Sequence, residues 1–438
     1  MKIRGFAVLP ATIALICMIG ASVRADSPTA FQTFSTPTAP TLAVTTSGTA
    51  ITLSWTTVPG ATGYTLYYAP SPYTGPDSIQ SLDMGNRTDV WANLWDGAAF
   101  YVAVEAYDAT GGSGYSNIQH FTVKSILNRL PDTGQTQCYD DATEISCPQS
   151  GQDFHGQDAN YIINPPSYSK LDAGGKALPD TAASWVMVQD NVTGLVWEVK
   201  TDDSSVHDKD DIYAWQGAQD TFIASLNASS FGSYTNWRLP TIKELGCIVN
   251  FGTYGPAINT DYFPNTMESG YWPSTPYAYA IDSAWIVDFY YGDGGFSLKS
   301  GSYHVRAVRS EQSDNSFVDN GDGTVTDTST ELMWQQITTG SKMTWKEALS
   351  HCESLTLAEH ADWRLPNRKE LQSIIAYGAY NPAIDSNFFP DTVSSGYWSS
   401  TTRGDNTDRA WSFHFGDGND YGRKKTNSYY GRAVRGGQ

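Results

Sequence analysis

Two groups of side chains in the second half of the chain have the make-up of a binding surface. Tyr277, Tyr279, Tyr290 and Tyr291 put four aromatic rings into one stretch. Further on, Arg403, Asp405, Asn406, Asp408, Arg409, Asp417, Asn419 and Tyr421 supply charged, amide and phenolic groups. Aromatic faces stack on the apolar side of a sugar ring, while Asp, Asn and Arg edges hydrogen-bond its hydroxyls. Loops of this composition can equally be inert, so both readings stand. The densest positive cluster, Arg423-Lys424-Lys425, would hold an anionic sugar in a salt-dependent way.

Other chemistry has less to stand on. There is no GxSxG elbow, HExxH helix or CxxCH motif, and the seven histidines are scattered. Carboxylates are abundant, but none is marked out as a glycosidase pair. The expectation is a protein that is not an enzyme and takes no cofactor. Asp319-Asn320-Gly321-Asp322-Gly323, with Asp327 beyond, has the look of a calcium loop but lacks the closing bidentate Glu. Asn-Gly and Asp-Gly between β-prone stretches make a hairpin turn instead, so no metal site is expected.

Cys138 and Cys147 flank a hydrophilic turn and are expected to pair in an oxidising compartment. A metal site there would need more ligands than His155 alone can add. Cys247 and Cys352 either bridge two parts of the chain or stay buried as thiols.

The elements that must position these residues occur twice. NWRLPTIKEL at 236–245 returns as DWRLPNRKEL at 362–371, and the offset of 126 residues persists through YWPST and YWSST to the two RAVR segments. A two-residue slip is read around the YGDG and FGDG turns. Two copies of this size indicate a duplicated globular domain rather than a solenoid. Trp237 and Trp363 read as core. Arg238 with Glu244, and Arg364 with Glu370, read as structural bidentate ion pairs. Trp345, Ala348, Leu349 and Cys352 have helical spacing, and the WRLP proline can open a second helix. Strand and hairpin patterns follow, which makes each copy α+β.

Ahead of the repeats, Lys2 and Arg4 precede an apolar run ending in Val23-Arg24-Ala25, a pattern of a cleaved secretory signal at residues 1–25. Residues 26–39 read as a flexible leader. Residues 40–123 alternate apolar and polar positions between turns, as about seven strands of a two-sheet sandwich would. Residues 124–182 read as a connector, 183–309 as copy one, 310–315 as a linker and 316–438 as copy two. A formal charge of −19 argues against nucleic acid and anionic membranes as partners, and no later stretch is apolar enough to span a bilayer.

SWTTVPGATGYTLYYA with YDATGGSGYSN resembles a fibronectin type III domain, with Phe100 where that family usually has its corner tyrosine. DNGDGTVTDTSTELMW, TWKEALSHCESL, DWRLPNRKELQSII, FFPDTVSSGYWSSTT and RAVRGG resemble the Lcl C-terminal domain family, as does the connector. That resemblance implies a fold similar to C-type lectin-like domains, an extracellular place and a role in adhesion or glycan recognition. Members often carry a cysteine near the end that pairs with the helix cysteine; here Ala307 and Ala433 stand there. The expected function is adhesion or polysaccharide binding by an exported protein. The alternative is a self-assembling surface protein whose loops are subunit interfaces.

Overall fold

The computed structural model describes residues 36–47, 50–94, 98–123, 129–310, 315–338 and 340–436. The signal segment 1–25, most of the leader and residues 311–314 of the linker lie outside these. Two compact units divide between Leu127 and Asn128.

The first unit is an antiparallel sandwich. Strands Leu42–Ser47, Ala50–Trp55 and Asp89–Asn93 form one sheet. Gln80–Gly85, Gly63–Pro70, Ala99–Asp108, Gly111–Tyr115 and Gln119–Thr122 form the other. Strand alternation sends Ile51, Leu53, Trp55, Leu66, Val102 and Val104 into one core. Among the described residues eight strands stand where about seven were expected. No hydroxyl is available at Phe100, whose ring packs on Phe121 at 6.0 Å. The Tyr64 hydroxyl instead accepts from the Val58 N–H at 2.8 Å.

In the second unit each copy is mostly β. Copy one has a four-stranded sheet, in order Tyr168–Leu171, Met187–Asp190, Val196–Glu198, Val308–Arg309. Copy two repeats it with Phe317–Asp319, Thr324–Asp327, Leu332–Gln335, Val434–Gly436. The Asp319–Gly323 run is the hairpin turn of this sheet, with Gly321 and Gly323 at positive φ. Tyr168–Leu171, inside the 124–182 connector, thus supplies an edge strand to the first copy's sheet.

Each copy adds two helical segments. Copy two has Trp345–Glu353 and Arg368–Ser373. Copy one has a helix whose middle, Ala218–Ile223, is π-helical, and then Ile242–Cys247. Thr241 and Asn367, not the prolines before them, cap the second helices, and Glu244 and Glu370 close capping boxes. The same glutamates take the arginine forks: Arg238 to Glu244 at 2.7 and 2.6 Å, Arg364 to Glu370 at 2.6 Å twice. Trp237 and Trp363 are buried in matching clusters. Arg306 bonds Glu198 O and Thr266, and Arg432 bonds Thr338 and Thr392 and lies 3.8 Å from Asp391, both beneath phenylalanine rings.

A three-stranded sheet completes each copy, Gly270–Tyr271, Ser283–Asp288, Gly294–Leu298 in one and Gly396–Thr402, Arg409–His414, Asp420–Lys424 in the other. The slip read at the turns is absent. Val287 pairs with Gly294 and Phe413 with Asp420, so the offset stays at 126. The equivalent turn glycines are Gly292 (φ 83°) and Gly418 (φ 81°), where the left-handed backbone favours glycine.

The copies pack on each other with reciprocal contacts, the mark of a two-fold relation. Lys243 Nζ donates to Ser373 O at 2.5 Å, and its twin Lys369 donates to Cys247 O at 2.7 Å. Phe251 meets Trp411 edge-on at 5.7 Å, while the twin pair Trp285 and Tyr377 meets at 4.9 Å. One apolar core therefore runs through both copies.

Candidate functional site

The two-fold packing decides where the loop residues go. Each copy's variable loop lies beside the other copy's hairpin, so the residues expected to form one site per copy form two mixed junctions.

The first junction joins the copy-one loop to the copy-two hairpin. Tyr277 is 7% exposed and stacks on Phe296 at 4.2 Å and on Trp285 edge-on at 5.0 Å. Tyr279 is 70% exposed, 6.3 Å from Tyr277 and 5.7 Å from Tyr380 of copy two. Across from them, Asn419 is buried against Tyr277, lowering the phenol's pKa against a larger rise from burial. Burial gives Tyr277 and Asn419 a packing role. Tyr279, Tyr380, Asp417 and Tyr421 supply the accessible groups. Tyr380 carries no distinguishing signal in the sequence, because Tyr254 stands at the matching position of copy one.

The second junction joins the copy-two loop to the copy-one hairpin. Arg403 lies over Tyr291 at 4.6 Å and Trp411 at 5.0 Å and bonds Asp405 at 2.5 Å. Tyr290 and Tyr291 meet edge-on at 4.5 Å. Arg409 bonds Gly422 O at 3.1 Å, and Asp408 lies 3.8 Å from Lys424; Asn406 is exposed. Between the hairpins the Gly294 N–H donates to Asp420 Oδ1 at 2.8 Å, while Arg368 is paired with Asp420 Oδ2. Burial pushes the Asp293 carboxyl up to about 6, with Asp420 and Asp288 adding to the rise.

The positive cluster at 423–425 does not act as a unit. Arg423 covers Tyr421 at 4.2 Å, while Lys425, one residue past the end of the strand Asp420–Lys424, is buried over Trp345 at 4.1 Å. Only Lys424 of the three is exposed.

Residues 129–164 close over copy two. Gln135 exchanges two hydrogen bonds with the Thr402 backbone, at 2.7 and 2.9 Å. Asp158 accepts from Thr133 and Thr401 at 2.6 and 2.5 Å, and Thr407 donates to Ala142 O at 2.5 Å. Cys138 and Cys147 are disulfide-bonded within this segment. Cys247 and Cys352 are buried free thiols rather than a bridge. Burial pushes Cys247 up to about 12 and Cys352 higher still, so neither is a ready nucleophile.

Cys247 borders a cavity of about 50 Å³ between the second helices, with Lys243, Lys369 and Gln372. Among the described residues, the carboxylates of Asp202, Asp208 and Asp210 lie within 4.8 Å of one another. Asp208 is engaged by the N–H groups of Asp203, Ser204 and Asp210, and Lys209 pairs with Asp202 at 2.6 Å. No helix among the described residues is long and apolar enough to cross a membrane.

A β-sandwich followed by two interlocked, mostly β domains defines a multidomain protein of the modular kind. The family model for the Lcl C-terminal domain matches residues 186–309 and again 323–435, more than half of the chain. The chain belongs to the Lcl C-terminal domain family, which points to a surface adhesin-like role. No curated protein matches it. Among solved structures it is similar to the chicken CNTN1 FN1-FN3 domains, at 21% identity and TM-score 0.19, over 20% of this chain and 33% of that one. It is similar too to the fn3 domain of the human collagen alpha-1(XX) chain, at 24% identity and TM-score 0.18, over 21% of this chain and 86% of that one. The chain thus spans a third of the chicken structure and most of the human domain.

Proposed function

We propose that this chain is an exported, non-enzymatic adhesion protein that binds carbohydrate through paired C-type lectin-like domains. The observation that carries the reading is the first junction. Exposed Tyr279 and Tyr380, one from each copy, stand 5.7 Å apart, and Asp417 and Tyr421 lie near the adjoining Tyr277. Rings for stacking and carboxylate or phenol edges for hydroxyls are the two components of sugar recognition. The junction needs both copies, which gives the duplication a functional reason. The disulfide fits an oxidising compartment.

The test is a glycan array with the full chain beside Tyr279→Ala and Tyr380→Ala. Wild-type binding lost in both variants supports the reading. Absence of any glycan binding, or binding unchanged in both, removes it.

A further inference from the structure

The outer face of the five-stranded sheet in the first unit gathers aromatic rings and carboxylates. Alternate residues of the strand Ala99–Asp108 share that face, so Tyr101, Glu105 and Tyr107 line up there with Ala103 among them. In register with them stand His120 opposite Tyr101, Tyr67 opposite Ala103 and Tyr115 opposite Glu105. The Tyr67 and Tyr115 rings meet edge-on at 5.0 Å, and Tyr101 lies on His120 at 4.6 Å. The Tyr67 hydroxyl donates to Glu105 Oε2 at 2.8 Å, and the Tyr107 hydroxyl to Asp83 Oδ1 at 2.9 Å. Two glycines make room for this layer: a Cβ at Gly112 would strike the Glu105 carboxyl, and one at Gly63 the Tyr107 ring. Tyr115 is 44% exposed and His120 is exposed, while Tyr67, Tyr101, Glu105 and Tyr107 are half-buried.

Cross-strand pairing accounts for the rings but not for the carboxylates. Among the described residues Glu105 Oε1 accepts from no donor. None of the five strands contains Lys or Arg. Arg87 is the one such residue between positions 40 and 123, against Asp77, Asp83, Asp89, Asp96, Glu105 and Asp108. The second unit uses its tyrosines differently. There Arg309 stands over Tyr234 at 3.6 Å and Arg423 over Tyr421 at 4.2 Å. Tyr161 donates to Glu353 at 2.5 Å and carries Arg364 over its ring at 5.3 Å. Tyr67 and Glu105 form the same tyrosine–glutamate pair with no described cation over the ring. We infer that this sheet face is a docking surface for an arginine-bearing segment of a partner polypeptide. A guanidinium is drawn to the negative face of a ring and can also donate to a neighbouring carboxylate, so both halves of the surface select it. The formal charge of −19 adds attraction to a cationic partner.

The probe is a fluorescently labelled octapeptide of alternating arginine and serine, titrated against the full chain by anisotropy. Extended, it carries its arginines on one face two residues apart, as the sheet carries Tyr101, Glu105 and Tyr107. Saturable binding that weakens as salt rises is expected. Glu105→Gln, which keeps an acceptor for the Tyr67 hydroxyl, and Tyr115→Ala should each weaken it at least tenfold, with melting unchanged in both. Tyr279→Ala, which tests the carbohydrate reading, should leave peptide binding intact, so the two ideas fail separately. Three results would overturn the surface: no saturable binding; binding equal in wild type and both variants, which means general attraction to an acidic chain; or no peptide binding together with glycan retention that Tyr115→Ala abolishes, which makes a neutral sugar the occupant.

Discussion

Copy one and copy two share a scaffold down to individual hydrogen bonds, yet they differ in what lies over them. In copy two the segment 129–164 buries Trp345, Lys425, Arg364 and Thr401; in copy one the twins Trp215, Lys299, Arg238 and Thr275 remain partly open. Exposure is therefore set by the docked segment rather than by the domain's own fold. An arginine that is structural in one copy can be a contact residue in the other with its carboxylate partner unchanged.

The ion pairs should show this difference most strongly. Removing one partner of a buried pair strands a charge, at about 3–5 kcal/mol. Arg364→Ala should lose that much in urea unfolding, because Glu370 stays buried at a helix start. At the more open twin, water can reach the site, and Arg238→Ala should cost about 1–3 kcal/mol, as for a charged hydrogen bond. Equal losses would mean that cover by Tyr161 is irrelevant.

The docked segment is itself the next lever. Replacing both Cys138 and Cys147 by Ser frees a short loop, at on the order of 2–3 kcal/mol by chain entropy. Hydrogen exchange should rise along Trp345–Glu353, beneath the segment, while Ile242–Cys247 keeps its protection. Loosening of both helices alike would show that the segment does not act on copy two alone.

Asp158 adds a pH dependence with a definite sign. Burial raises its carboxyl to about 7, against pulls downward from Thr133 and Thr401. The folded state thus holds a proton that the unfolded chain releases near pH 4. The stability this contributes is complete below that pH and lost as pH rises through 7. Lys425, pushed down to about 7 by burial, runs the opposite way and loses stability as pH falls through that value. Comparison with Asp158→Asn isolates the carboxyl: between pH 5 and 8 the wild type's melting temperature should fall relative to the variant's. Parallel pH curves would sink the assignment.

Much of this was legible in the residues. Repeated WRLP blocks gave the duplication, and a Glu at the third helical position after Thr241 or Asn367 fits both cap and fork. Cys138 and Cys147, close in sequence, could be paired by spacing. The mixed junctions were not legible. Repeat comparison treats each copy as self-contained, and nothing local in Phe251 or Trp411 says that they meet across a two-fold relation. The cover over copy two was hidden for a similar reason: the polar 129–164 stretch docks by side-chain bonds to backbone, which leave no apolar periodicity. Tyr380 is hidden by its likeness to Tyr254, since a residue shared by both copies is explained as well by shared packing as by binding.

Those two tyrosines allow the finest comparison. Tyr254 and Tyr380 are twins with nearly equal exposure, 54% and 53%. Tyr380 meets Tyr279 of the other copy's loop, whereas the position matching Tyr279 in copy two is Asp405. Truncating either should change stability by within about 0.5 kcal/mol, the usual range for exposed substitutions. Carbohydrate binding should separate them. Tyr380→Ala removes half of an aromatic pair and should abolish retention on the glycan that wild type selects, whereas Tyr254→Ala should leave it intact. If both variants lose binding equally while melting as wild type, the ligand engages the two junctions together, and the asymmetry between the copies lies in the docked segment alone.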